Sequence, residues 1–365
     1  MTRGTRAWSL TTEDRAGRAG WMALLGDRPQ ITGSESADLA LWAERICDLL
    51  SPALADHLLE HMHECNGRLI TRERADKARL YSRFLWRRQI DAVRLLRDTG
   101  VRFVCLKGFA LAHQVYGRPQ PRIVGDVDLL VHREDLETVS EALSAAGFAA
   151  MPIPSRFGFI SDSSFLPVLS ADGQVALDLH VAPDAWPATR SLTTDEVFRR
   201  AEPFRVAELD LLGPAPEHAF FLLVTNIAKD RFGPEGVRKI VDAAMLLRAR
   251  RQFDWEEVGF LAKRSGHARA LAAFLVLLEL LGAKTSAPER LRKLGSMSRR
   301  QVEQVAFLCR IGRVPQLGFS GKLRREFLLG ADPLSVLRIN LKRLHGLIRP
   351  RTGLPPGILE RSRPP

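Results

Sequence analysis

Hydrophobic residues recur at helical spacing along the first hundred residues of the chain. The segment from about Thr71 to Asp98 carries apolar side chains three and four positions apart, as one buried face of a helix requires. Those apolar positions are Leu80, Phe84, Leu85, Ile90, Val93 and Leu96. Gly100 is a stop signal, Ser36 can cap an earlier helix, and another helix follows Ser51. The pattern predicts an N-terminal helical region over residues 1–100.

Strand-like and helix-like patterns alternate between about residues 101 and 210. VRFVCLK, VGDVDLLV, SSFLPVLS and QVALDLHV are short apolar or alternating runs of the kind that forms strands, and an Ala171-Asp172-Gly173 turn joins the last two. GFALAHQVYG and HREDLETVSEALSAAG have helical spacing, and the second ends at Gly147. This order predicts an α/β core over residues 101–210.

The pattern is helical again from about Thr193 onward. We expect helices at 193–201, 215–229, 236–250, 255–265, 267–283, 288–294 and 298–310. These helices would form a C-terminal helical domain over residues 211–345. The last stretch, 346–365, is rich in Pro and Arg and predicts a mobile tail.

Length, composition and net charge add little to the predicted arrangement of helices and strands. The 365 residues are 45% hydrophobic, as in a folded protein, and the net charge of +12 favours an anionic partner such as a nucleotide or nucleic acid. The cysteines, Cys47, Cys65, Cys105 and Cys309, form no CxxC pair, which favours buried, reduced thiols. The start has no apolar signal segment, and no apolar run is long enough to span a membrane. We therefore expect a cytoplasmic protein with no membrane partner.

Candidate catalytic and metal-binding residues lie in two of the expected strands. Asp126 and Asp128 are two residues apart, so a strand would project both carboxylates from one face. Asp178 has apolar neighbours in the later strand, where a lone buried carboxylate would be costly, and His180 shares its face. If the two strands are adjacent, three carboxylates form a triad. Oxygen ligands of this kind favour Mg²⁺. Two such ions could bind the attacking oxygen and the leaving group of an in-line displacement.

Basic residues and a glycine lie near these carboxylates. Lys107 and Gly108 follow the first strand at the start of a helix, where backbone N–H groups and a lysine can bind a phosphate. Arg122 could add a bidentate phosphate contact or pair with a core carboxylate instead. The alternatives are a structural turn for Lys107 and Gly108, an arginine partner for Asp178, and a structural role for His180.

The stretch from Leu106 to Val131 resembles the DNA polymerase beta-like nucleotidyltransferase superfamily. It is most similar to an uncharacterised bacterial nucleotidyltransferase family with an LKG, a Tyr-Gly turn, an Arg and a GDxDLLV motif. In this chain these elements are Leu106-Lys107-Gly108, Tyr116-Gly117, Arg122 and the residues from Gly125 to Val131. The similarity is strongest over residues 70–185 and continues into later helices, where Asp242 matches a recurrent helical Asp.

The resemblance implies an α+β fold with a small mixed sheet flanked by helical regions. It implies transfer of a nucleoside monophosphate from a nucleoside triphosphate such as ATP to a hydroxyl or phosphate of a small-molecule, peptide or protein acceptor, in natural-product tailoring for example. Asp126, Asp128 and Asp178 would be catalytic and would bind two Mg²⁺ ions, with Mn²⁺ as an alternative. The nucleotide would contact Lys107, Gly108, Arg122, Gly125 and His180.

The chain departs from the resembled pattern at two places. The superfamily's phosphate loop is usually Gly-Ser or Gly-Gly, whereas this chain has Lys107-Gly108-Phe109, as is usual for the closer family. The superfamily pattern therefore does not give the contacts of this loop with the triphosphate. The family often has Glu-x-His where this chain has Asp178 and His180.

Two other functions fit parts of the sequence. A tRNA-directed nucleotidyltransferase or toxin would suit the positive charge, although no RNA-binding motif is visible. A non-catalytic nucleotide-binding module would be expected to have lost a carboxylate.

Among other residues, Lys229, Arg231 and Asp242 could line the acceptor side, with a buried salt bridge as the alternative for Asp242. His57, His61, His63 and Cys65 favour a solvated helix face over a metal site, and the RARR run at 248–251 favours a solvated helix end.

Overall fold

The computed structural model describes residues 21, 24–25, 36–60, 70–116, 121–151, 165–233, 236–250, 252–294 and 318–348. Its helices are α1 (Ser36–Leu50), α2 (Pro52–Leu58), α3 (Arg72–Arg97), α4 (Lys107–Gln114), α5 (Leu136–Ala145), α6 (Thr194–Arg199), α7 (Pro216–Lys229), α8 (Val237–Ala249), α9 (Trp255–Arg264), α10 (Ala268–Leu280), α11 (Glu289–Arg292), α12 (Phe319–Leu329) and α13 (Pro333–Ile348). Its strands are β1 (Val104–Cys105), β2 (Asp126–Leu130), β3 (Ala149–Ala150), β4 (Phe165–Leu169), β5 (Ala176–His180), β6 (Glu202–Val206) and β7 (Leu209–Gly213).

Side-chain caps begin several helices where the sequence places them. The hydroxyl of Ser51 accepts from the N–H of Leu54 at the start of α2, and Thr71 does the same for Arg74 in α3. Gly100, with φ of 77°, follows the end of α3 in a left-handed conformation that glycine adopts at little cost. These caps explain why the helix bounds agree with the sequence pattern.

The main sheet has five strands among the described residues, in the order β1-β2-β5-β4-β3. β2 and β5 run parallel at its centre, and the other neighbouring pairs are antiparallel. The predicted α+β class is therefore confirmed: a small mixed sheet has helical regions before and after it in the chain. β2 and β5 are apolar apart from the polar residues that they present at one face, so the sheet centre can be buried on both sides.

Two groups of buried apolar side chains hold the fold together. One lies around the sheet, α3 and α4 and includes Val127, Leu129, Leu177 and Leu179. The other joins α1 and α2 to the later helices α7 to α10. The N-terminal and C-terminal helical regions thus share a core, and the division of the chain into four parts stays a prediction.

The structure differs from the sequence expectation after α6. The sequence pattern predicts helices from about Thr193 onward, but β6 and β7 form an antiparallel hairpin between α6 and α7, with Val206 opposite Leu209. The short strand β3 was also not expected.

Helices α6 to α11 lie within three residues of the predicted bounds at each end. The predicted helix at 298–310, Gly117 and the tail beyond residue 348 lie outside the described residues. Cys47 and Cys105 are free and buried, as predicted, whereas Cys65 and Cys309 lie outside the described residues. None of the described helices combines the length and the apolar character needed to cross a membrane.

Candidate active site

Strand pairing brings the predicted carboxylates together. In the parallel register of β2 and β5, Asp128 lies directly opposite Asp178 and Leu130 lies opposite His180. Asp126 lies two residues before Asp128 and therefore on the same face of β2. The three aspartates thus occupy one face at the centre of the sheet.

Asp128 is the buried and firmly held member of this group. It is 3% exposed, and its Oδ1 lies 2.8 Å from Nε2 of His180 and accepts a hydrogen bond from Nζ of Lys107. Burial alone would raise the pKa of Asp128, but the charge of Lys107 and the contact with His180 outweigh it and lower the pKa to about 2. Asp128 is therefore ionised at neutral pH, with a fixed orientation.

Asp178 and Asp126 have the opposite electrostatic character. Burial, followed by repulsion from Asp128 and Asp126, raises the pKa of Asp178 to about 6. The pKa of Asp126 is also raised, by loss of solvent around the carboxylate and by the charge of Asp128. Three carboxylates with one lysine between them carry excess negative charge that a divalent cation would relieve.

The donor set fits such a cation. Ligand atoms of Asp128, Asp178 and His180 all lie within 4.8 Å of one another, so this buried group can bind a metal ion. Asp126 is not part of that close group, although it is near enough for its charge to act on Asp178. Carboxylate oxygens suit Mg²⁺ or Mn²⁺, and an imidazole nitrogen also suits softer metals.

The Lys107–Gly108 turn is tied to the carboxylate strand. The N–H of Leu106 donates to the carbonyl of Asp128 at 2.8 Å, which fixes the start of α4 beside β2. Lys107 has φ of 45°, a left-handed conformation that is uncommon for a residue with a side chain. Such local strain is found where the surrounding structure holds a residue in place, as the Lys107–Asp128 ion pair does here.

Arg122 lies in a buried network that joins the sheet to α8. Its Nε and Nη2 donate to the two oxygens of Asp242 at 2.9 and 2.6 Å, and the hydroxyl of Tyr116 donates to Asp242 Oδ1 at 2.8 Å. The alternative considered for Arg122 and Asp242, a pair in the core, is therefore what the structure has. A side-chain carbon on Gly108 would lie 2.9 Å from Nη1 of Arg122, so the arginine packs against the α4 start.

The remaining candidates have other partners. Lys229 pairs with Asp184, and Nε of Arg231 lies 3.6 Å from Glu326 on α12. Gly125 is exposed, directly before Asp126, with open space where a side chain would lie. His57 faces Glu60 at 3.8 Å, while His61, His63 and Cys65 lie outside the described residues.

Sequence reasoning missed one buried acid near the site. Asp184 is 5% exposed, pairs with Lys229, accepts a hydrogen bond from Thr225, and acts electrostatically on Lys107. It lies in the loop after β5, where nothing but its position four residues beyond His180 could have indicated it.

A second group with metal-ligand atoms, Glu196, His218 and Glu257, is of a different kind. Its two carboxylates already pair with Arg199 and Arg200, so the charge that would attract a cation is neutralised.

A carboxylate and histidine cluster on a mixed sheet, beside a lysine at a helix start, belongs to the class of sites that can bind a cation and an anionic substrate together. The chain belongs to a family described as uncharacterised nucleotidyltransferase, whose model matches residues 39–282. That range contains all the site residues described above. No curated protein matches the chain.

Proposed function

We propose that this protein is a Mg²⁺-dependent nucleotidyltransferase of the DNA polymerase beta-like superfamily. It would transfer a nucleoside monophosphate from a nucleoside triphosphate to a hydroxyl or phosphate of a small-molecule, peptide or protein acceptor. The observation that carries the proposal is the register that sets Asp128 opposite Asp178 on adjacent parallel strands. A non-catalytic module would not need to keep three carboxylates on one face.

In the proposed reaction the acceptor oxygen forms a bond to the α-phosphorus of the nucleotide. The bond from that phosphorus to the bridging oxygen breaks, pyrophosphate leaves, and the acceptor proton passes to the carboxylate of Asp178. Asp126, Asp128 and Asp178 would hold the metal ions. Bound Mg²⁺ would neutralise charge on the phosphates and on the reacting oxygens.

Other residues of the chain would orient the substrate and the carboxylates. His180 and Lys107 fix the Asp128 side chain through their contacts with Oδ1. Lys107 also stands at the first turn of α4, where the backbone N–H groups of Lys107 and Gly108 are available to a phosphate. Lys107 would therefore leave Asp128 for a phosphate oxygen when the metal and nucleotide bind.

The test is turnover of labelled nucleoside triphosphates by the purified full chain with Mg²⁺ or Mn²⁺. Release of pyrophosphate and transfer of label to small-molecule and protein fractions of a cell extract would be measured together. Asp128→Asn and Asp178→Asn should each reduce turnover by about 10²- to 10³-fold, since they remove charge at the reacting centre.

Asp210→Asn is the matched control, because Asp210 is an exposed aspartate on β7, a strand of the separate two-stranded sheet. This variant should keep the parent rate. Parent-level turnover in both Asp128→Asn and Asp178→Asn would reject the proposed function.

A further inference from the structure

A cavity of about 230 Å³ adjoins the carboxylate site on the side of Lys107. It lies between the start of α4 and helices α7 and α8, with apolar side chains such as Leu111 and Leu222 forming part of its wall. Lys107 and Gly108 line the cavity and also belong to the site, so a ligand could extend from one into the other. Pockets for whole small molecules are roughly 300–1,000 Å³, so this cavity suits one part of a nucleotide.

The cavity wall has more cationic than anionic side chains. Four cations, Lys107, Arg122, Arg238 and Lys239, line it together with one carboxylate, Asp242. That carboxylate is already paired with Arg122. The cavity therefore has the electrostatics of a site for an anion with several charges.

Arg238 differs from the other three cations in its partners. Lys107 pairs with Asp128, Arg122 with Asp242, and Lys239 with Asp230. Within the described part of the chain Arg238 has no ion pair; its Nε donates to the carbonyl of Leu49 at 3.0 Å, which leaves its two terminal nitrogens for a ligand. Arg238 is exposed to solvent, and the charge of Arg122 acts on it, so this cation lies in a positive field that an anion would relieve.

We propose that this cavity binds the polyphosphate of the nucleoside triphosphate and that Arg238, with Lys239, is its main phosphate ligand. The proposal rests on the proposed function and deepens it. Arg238 and Lys239 lie in the first turn of α8 and line the cavity, and arginine can donate two hydrogen bonds to one phosphate.

The probe is inorganic tripolyphosphate, titrated calorimetrically into the full chain in EDTA so that no metal is needed. Arg238→Gln should weaken the binding of tripolyphosphate about 10-fold or more, the loss expected for one charged hydrogen bond. Arg205→Gln is the matched control, because Arg205 is an exposed arginine on β6 outside the cavity. Thermal unfolding of both variants checks that each is folded, and Lys239→Gln provides a second variant with the same expected direction.

The outcomes separate this proposal from the proposed function. Parent-like tripolyphosphate binding by both Arg238→Gln and Lys239→Gln would overturn the cavity assignment, even if nucleotide turnover were normal. If tripolyphosphate binding depends on Arg238 but the chain turns over no nucleotide, the phosphate site in the cavity is supported and the proposed nucleotidyl transfer is rejected.

A third arm uses a short single-stranded RNA at equal phosphate concentration as a competitor. Failure of the RNA to displace tripolyphosphate supports a free polyphosphate ligand. Displacement by the RNA and not by a nucleoside triphosphate would overturn the proposal in favour of nucleic-acid binding.

Discussion

Asp128 and Asp178 face each other across adjacent strands but have different surroundings. Asp128 is held by Lys107 and His180, whereas within the described residues the carboxylate of Asp178 accepts no hydrogen bond. Asp128 can therefore hold its orientation before any ligand binds, and Asp178 is free to reorient toward a cation or an acceptor. Of these two candidate metal ligands, Asp128 is thus held in one orientation and Asp178 is adaptable.

His180 should matter through the position of Asp128. His180→Phe keeps a ring of similar size but removes the 2.8 Å contact with Asp128, so we expect turnover or metal affinity to fall about 10- to 100-fold. His132→Phe is the control, because His132 lies two residues beyond β2, stacks on Phe198 and has Asp195 as its acidic neighbour. Parent-level turnover and metal affinity in His180→Phe would show that the contact is only structural.

Gly108 should not tolerate a side chain. In Gly108→Ala the new carbon would lie 2.9 Å from Nη1 of Arg122, and Arg122 cannot move cheaply because Asp242 holds it with two hydrogen bonds. We expect the free energy of unfolding to fall by about 1–3 kcal/mol, as for other overpacked sites, and turnover to fall with it. Gly125→Ala has open space at the new carbon and should leave the unfolding midpoint unchanged. Equal midpoints for the two variants would contradict the steric argument.

The sequence predicted the carboxylates better than their partners. Two-residue spacing puts Asp126 and Asp128 on one face of any strand, so their proximity needed only the strand itself. Adjacency of β5 was a condition that no local pattern could settle. The partner of Arg122 could not be chosen from the sequence either, because Asp242 is 120 residues away and many acidic residues compete at that distance.

At the scale of elements, α8 is joined to the sheet by the Arg122–Asp242 pair. Both side chains are buried, at 7% and 2% exposure, so removing one charge leaves the other without a partner in a dry environment. The same helix carries Arg238 at its first turn. The pair thus fixes the distance between the carboxylates and the proposed phosphate ligand.

Removing one member of this pair should cost more than removing both. Asp242→Leu alone should lower the free energy of unfolding by about 3–5 kcal/mol, whereas Arg122→Met with Asp242→Leu should recover most of that loss. Denaturant unfolding of the parent, both single variants and the double variant gives the coupling. Additive losses would mean that the two residues do not act as a pair.

The missed hairpin shows where the sequence signal was present but short. Val206, Leu209 and Leu211 are buried, with exposed Arg205 and Asp210 near them, which is a period-two pattern. Each strand has only five residues and lies between two helices, so the helical pattern on either side dominated the interpretation. The longer helices were predicted well because their periodicity extends over several turns.

At the scale of the whole molecule, two cores meet along the sheet and α4. Residues from α1 and α2 pack with α7 to α10, so the N-terminal helices stabilise the same core as the C-terminal ones. Local sequence patterns divide the chain into successive regions, because a short window of sequence cannot detect contacts between distant parts of the chain. Stability is therefore expected to be a property of the described chain as a whole, and buried titratable groups in one region should affect all of it.

The buried histidine His267 should make this stability depend on pH. Burial is the main reason that its pKa is lowered from 6.5 to about 4, with smaller effects of Asp184, Lys229, Asp332 and Arg190. Because the folded pKa lies below the unfolded one, the unfolded chain takes up a proton first as the pH falls. The contribution is complete above pH 6.5 and is lost progressively toward pH 4, by on the order of 3 kcal/mol.

His267→Gln removes this titration while keeping a polar side chain that can reach Ser265, whose hydroxyl lies 3.0 Å from Nδ1 of His267. At pH 8 the variant should be less stable than the parent, because neutral His267 packs without penalty there. At pH 4.5 the difference should shrink or reverse, because His267 is protonated in the unfolded parent but largely neutral in the folded parent, and the variant lacks this effect. Carboxylates such as Asp184 titrate in both proteins and cancel in the comparison. Urea unfolding at the two pH values measures the difference, and a constant gap between parent and variant would show that His267 does not titrate on unfolding.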